Sequence, residues 1–219
     1  LYAEFSFYQT ADGMFSWMRH GQPSNESGGV NRLQNLNPYY RVALTHDWGP
    51  HSAMVGAYGM QAKVYADNLD PGGGTNRFTD TAFDAQYQYI TIPHVITSQW
   101  TYIHEKQNWD AGFPAGGTSN DVDILKTWRG KVTYYYQRKY GATFQYFDTT
   151  GSNDPLLYQP GVITGFLNGS PNSRGQIYEL DFLPIQNVRL MLQYTAYNKF
   201  NGGNTNYDGF GRKASDNNT

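Results

Sequence analysis

The sequence contains no cysteine. This excludes a disulfide framework, a thiolate metal site and a covalent CxxCH haem attachment within the chain. It also lacks any run of 18 or more apolar residues, so no transmembrane helix is expected. Charge is scarce and balanced. Charged residues make up 16% of the chain and the net charge is −2, which leaves no basic footprint for nucleic acid. No GxSxG, HExxH or phosphate-cradling loop occurs, and no spacing of Ser, His and Asp singles out a triad, so the chain is not expected to be an enzyme. No signal peptide is visible, and the chain opens inside an apparent strand.

What the chain has in excess is aromatic. There are 19 Tyr, 12 Phe and 5 Trp. Such rings suit membrane interfaces, where one face is buried and a polar tip stays wet. The mean hydropathy of −0.66 first suggests a soluble protein. A transmembrane β-barrel gives the same average, because only alternate strand residues face lipid and the loops are polar.

Loop length carries the next signal. Five short connections fall at Thr10–Gly13, Gly49–His51, Ile92–His94, Arg138–Lys139 and Leu183–Asn187. They alternate with long polar stretches at 20–37, 66–78, 107–123, 150–173 and 200–219. Short periplasmic turns alternating with longer extracellular loops are the pattern of outer-membrane barrels. Between them, ten strands are predicted over 1–9, 14–20, 38–48, 52–65, 79–91, 95–106, 124–137, 140–149, 174–183 and 188–199. Proline checks the segmentation, since it cannot donate to a sheet ladder. Every proline falls in a loop or turn except Pro38, which begins a strand.

The predicted strands separate into two faces with period two. Phe83, Ala85, Tyr87 and Tyr89 alternate with Asp84, Gln86 and Gln88. Trp128, Val132, Tyr134 and Tyr136 alternate with Arg129, Lys131, Thr133 and Tyr135. Tyr178, Leu180 and Phe182 alternate with Glu179 and Asp181, and Leu190, Leu192 and Tyr194 with Arg189, Gln193 and Thr195. The expected fold is therefore an all-β, antiparallel, up-and-down transmembrane β-barrel over 1–219, with about ten strands and incomplete at both ends. A soluble β-sandwich or lipocalin-like binding protein also alternates. The many Tyr on the apolar face and the length of the strands disfavour it, since buried hydroxyls need partners.

Several segments carry a resemblance. They are Tyr2–Phe5 to Ala11–Gly13, Pro38–Leu44 with His46–Gly49, Val55–Met60, Phe83–Tyr89, Tyr102–Glu105 and Arg174–Leu180. Together they resemble a family of proteobacterial outer-membrane β-barrels often labelled cytochrome c-like. The resemblance implies a bacterial outer-membrane location, lipid contact and a porin-like barrel preceded by a haem-binding segment with a cytochrome or other redox partner. This chain departs from the pattern in having no CxxCH and no terminal strand ending in an aromatic, so no haem ligand carries over and any haem would belong to a missing N-terminal segment or a partner.

Function is expected in the lumen. Asp84, Glu105, Arg129, Lys131, Glu179, Asp181, Arg189 and Lys199 share the polar face. Opposed charges there either polarise a pore for small polar solutes or pair and seal it. The alternative role is a barrel scaffold for a redox partner. His51 and His94 are weak metal candidates, because both fall in short turns at one end of the barrel. The segments Asp67–Gly74, Asn153–Pro155 and Gly202–Asn204 read as flexible loops. The first and tenth predicted strands are expected to run antiparallel, with the first heading for the short turn at 10–13.

Overall fold

The computed structural model describes residues 1–10, 31–70, 72–161 and 165–219. Nine strands form one antiparallel sheet in chain order. They are β1 (Tyr2–Tyr8), β2 (Asn37–Trp48), β3 (His51–Tyr65), β4 (Thr75–Ile90), β5 (His94–Asn108), β6 (Val122–Tyr136), β7 (Tyr140–Gly151), β8 (Ser173–Phe182) and β9 (Leu190–Lys199). Among the described residues there is no α-helix, only a short 3₁₀ turn at Ala214–Asn217. The all-β, up-and-down character of the sequence reading is thus present. The predicted strand at 14–20 and most of the turn at 10–13 lie outside the described residues.

Each strand forms where the period-two pattern runs longest, and the turns select the register. Gln137 and Arg138 both adopt left-handed backbone, with φ of 51° and 55°, in the three-residue connection between β6 and β7. That is the geometry whose twist matches a tight hairpin. Gly49 supplies the same conformation between β2 and β3, with φ of 56°. The four central strands are 15 or 16 residues long, well beyond the usual strand of about 5–6. β4 begins at Thr75 rather than near 79, so part of the predicted loop 66–78 belongs to the sheet.

Two expectations about the sheet are corrected. The first strand pairs directly with β2, Tyr2 opposite Ala43 and Tyr8 opposite Asn37. It therefore runs toward the long-loop rim, not toward a short turn. The direction follows from the pairing of β1 with β2, which sequence composition does not show. It follows that β1 and β9 run in the same direction, where an antiparallel relationship was expected. Among the described residues the sheet is not closed: β1 and β9 are its two edges.

Among the described residues no second layer packs on the sheet. Among the described residues only Ala43, Ala82, Tyr207 and Ala214 are buried apolar residues. The tightest packing lies at the long-loop rim, where buried polar side chains tie loops to strands. Asn37 donates to the carbonyls of Tyr8, Gln34 and Asn35 and accepts from Lys63 N–H at 2.7 Å, joining the ends of β1, β2 and β3. Asn76 accepts from the N–H groups of Ala111 and Gly112. Asp154 accepts from those of Ser119, Asn120, Leu156 and Leu157. The stretch around Asn153–Pro155, read as a flexible loop, is instead a packed one with Asp154 fully buried.

Residues 200–219 also pack, around Tyr207, whose ring meets Phe200 edge-on at 5.1 Å between centroids. Gly202, read as part of a flexible segment, packs against Ser170. The lobe reaches back to the sheet: Thr219 and Thr195 exchange both backbone hydrogen bonds, at 2.6 and 3.2 Å. Asp67 and Asp70 accept from the N–H groups of Leu69 and Gly72, side-chain contacts of the kind that stabilise turns.

Candidate functional site on the concave wall

Register sorts every side chain of the sheet onto one of two faces. One face carries Tyr40, Val42 and Leu44 of β2, Phe83 and Tyr87 of β4, Trp100 of β5, Val132 and Tyr134 of β6, Phe144 of β7, Leu180 of β8 and Leu192 of β9. These residues are exposed, Leu192 at 71% and Leu180 at 61%. The other face carries most of the amides, hydroxyls and charges; Asp148 and Arg174, ion-paired at 2.9 Å, stand on the apolar face in the row of Trp128.

On that polar wall, row follows row. Gln86, Gln99, Lys131 and Gln145 stand side by side across β4 to β7, with Gln99 donating to Gln86 at 3.1 Å. One level toward the short turns, Thr97, Thr133, Thr143 and Glu179 form a second row, with Thr133 and Thr143 hydroxyls 3.0 Å apart. These rows line a groove of about 420 Å³ that also includes Arg189 and Gln193. Its floor at the short-turn rim is apolar, a hollow of about 350 Å³ against Ile90, Val95, Tyr135 and Leu183.

The charges fall into paired and unpaired sets. Arg189 clamps Asp181 at 2.7 Å and Glu179 at 2.5 Å, and the Tyr135 hydroxyl donates to the same Asp181 at 2.6 Å. The Asp181 side chain has no solvent exposure, so Arg189 and Tyr135 replace its lost hydration. Asp84 pairs with Arg41 at 2.7 Å, and the Arg41 guanidinium lies over the Tyr58 ring at 5.3 Å. Glu105 stands opposite Asp80 and accepts from Gln107. Arg129 stands between Thr101 and Phe147, and Lys131 between Gln99 and Gln145. Among the described residues neither Arg129 nor Lys131 has an ion-pair partner.

Of the residues expected on the lumen face, seven occupy the polar wall or its rim. Lys199 differs. A bulge beside Gly175 sets Lys199 opposite Arg174, which belongs to the outer row. Arg41 and Asp80 were missed, although alternation signals Arg41: Tyr39, Arg41, Ala43 and Thr45 interleave with Tyr40, Val42 and Leu44. The two turn histidines do not converge. His51 Nδ1 lies 2.7 Å from the Tyr87 hydroxyl, and His94 Nδ1 lies 2.9 Å from that of Tyr134. Each stacks among aromatics at the short-turn rim, beside Trp48 and Tyr89 in one case and Tyr136 in the other. No cluster of three or more His, Cys, Asp or Glu able to hold a metal occurs among the described residues.

Beyond the strands, burial pushes the Asp154 carboxyl up, but the N–H groups of Leu157, Ser119 and Asn120 outweigh it and hold the group below its ordinary value. Burial near Asp123, Glu105 and Asp154 pushes the Tyr158 phenol up to about 12, so it remains protonated at neutral pH. Both belong to the packing of the long-loop rim. The described residues of the concave wall offer hydrogen bonding and charge. Comparison with family models, with curated proteins and with solved structures gives no match, so the wall is read from its own geometry.

Proposed function

We propose that this sheet is part of the wall of an outer-membrane β-barrel whose polar concave face passes small polar solutes. The observation that carries the reading is the separation of faces. Bilayer-length strands expose Val42, Phe83, Trp100, Val132, Leu180 and Leu192 outward, while amides, hydroxyls and charges line the groove. Lipid is the solvent that makes such an outer face stable, since in water it would be a large exposed apolar patch. Further support comes from the short-turn rim, where Trp48, Tyr87, Tyr134, Tyr136 and Tyr140 form an outward row of rings. Such rings favour a membrane interface. A soluble β-rich binding protein would cover this face with a second layer, and among the described residues none covers it.

The test is reconstitution of the full chain into planar bilayers, recording conductance steps in neutral salt. Steps that require the protein, together with its retention in detergent-extracted membranes, support the reading. A chain that stays monomeric in water without detergent and gives no steps overturns it.

A further inference from the structure

Two carboxylates face each other on the concave wall. Asp80 of β4 is directly opposite Glu105 of β5. Like charges directly opposed across strands destabilise a sheet. Their own row brings no counter-charge: Met60 stands opposite Asp80 on β3, and Leu125 opposite Glu105 on β6. Arg41, two strands away, is held by Asp84 at 2.7 Å.

Beside the pair sits Gln107, only 7% exposed. Its amide nitrogen donates to Glu105. Gln107 Oε1 and Asp80 Oδ1 are both buried, and neither receives a hydrogen bond. Buried acceptors without a donor are costly and rare. Here one of them belongs to the opposed acidic pair and the other to the Gln107 beside it, so what the cluster lacks is positive charge offered to oxygen.

We propose that Asp80, Glu105 and Gln107 bind a hard divalent cation, calcium by class, on the inner wall near the long-loop rim. The donors are all oxygen, two anionic and one neutral, which selects hard cations over the metals of thiolate and imidazole sites. Calcium accepts irregular oxygen shells completed by water, whereas magnesium demands near-ideal octahedral geometry. The inference does not rest on solute passage: the site needs only β4 and β5.

Terbium serves as a luminescent calcium surrogate. Trp109 packs edge-on against Phe78, the residue opposite Gln107, and supplies the energy donor. The refolded full chain should show terbium emission on tryptophan excitation that calcium displaces. Asp80→Asn and Gln107→Ala should each weaken terbium binding about tenfold or more. Melting gives an independent readout. Calcium should raise the melting temperature of the wild type and not that of Asp80→Asn. In EDTA, Asp80→Asn should melt above the wild type, because it relieves the opposed charges, so a folding defect is not confused with a lost site. Terbium affinity unchanged in Asp80→Asn, or a wild-type melting temperature indifferent to calcium, would overturn the proposal. Conductance is untouched by either outcome.

Discussion

Trp100 of β5 stands directly opposite Gly130 of β6, and its ring fills the space that a side chain there would take. A Cβ on Gly130 would lie 2.7 Å from the indole. The relationship recurs in register-opposed pairs along the sheet: Tyr40 with Gly59, Tyr135 with Gly141 and Phe147 with Gly175. A ring laid over a cross-strand glycine shields the bare backbone, and the glycine lets the strands twist beneath it.

Gly130→Ala should therefore cost about 1–3 kcal/mol, the usual penalty of overpacking. Urea unfolding in detergent would measure it. The Trp100→Ala background should relieve most of that cost. Additive losses in the double variant would show that the ring does not set the tolerance of the glycine.

The two faces should respond oppositely to charge. Val55→Arg places a cation on the outer face near mid-sheet and should destabilise the inserted protein by about 2–4 kcal/mol if that level is the bilayer centre. Gln99→Arg points into the groove and should be tolerated. Heat-modifiable gel mobility and denaturant midpoints compare them, and equal tolerance would remove the lipid-face assignment.

This face separation was legible in the sequence because alternation is a one-dimensional property of a strand, and Tyr134, Tyr136, Leu180 and Leu192 display it without help. The direction of β1 was not legible. It depends on which strand Tyr2–Tyr8 meets, and Thr10–Gly13 offers a turn-like composition that points the wrong way. The rim staples were equally hidden. Asp154 reaches Ser119 and Asn120 across about 35 residues of chain, and the sequence records the loop compositions but not their meeting. Lys199 was misassigned because a bulge breaks the parity that alternation assumes.

The long-loop rim should loosen in acid. The folded Asp154 carboxyl lies below its ordinary value of 3.8. A lowered carboxyl stabilises above that value and loses its contribution as pH falls through the folded pKa. Amide exchange at Ser119, Asn120, Leu156 and Leu157 should thus accelerate below about pH 3.8. Asp154→Ala should produce the same acceleration at neutral pH with a loss of about 3 kcal/mol, as buried donors lose their acceptor. Exchange indifferent to both changes would mean that other contacts hold the loops.

Lys131, like Arg129, has no ion-pair partner among the described residues, and it lines the groove, so under the proposed passage of solutes its charge should be felt by ions. Lys131→Glu should move the reversal potential in a salt gradient toward cation preference, and Lys131→Gln should move it part of the way. Arg189→Gln should shift selectivity less and stability more, because Asp181 and Glu179 would lose their clamp. An unchanged reversal potential in Lys131→Glu would place the ion path elsewhere.

The shared direction of β1 and β9 imposes a parity on assembly. Two copies standing the same way up in a membrane would meet edge to edge with parallel strands, whichever edges they used. Antiparallel completion of the wall therefore demands an odd number of intervening strands, each set alternating from the long-loop rim downward first. Hairpins, which arrive two strands at a time, leave that parity unchanged. Whatever seals this sheet by antiparallel pairing must be odd in strand count and must begin and end with a strand directed away from the long-loop rim, so a second copy in the same orientation, whose edge strands both head toward that rim, cannot serve as its complement.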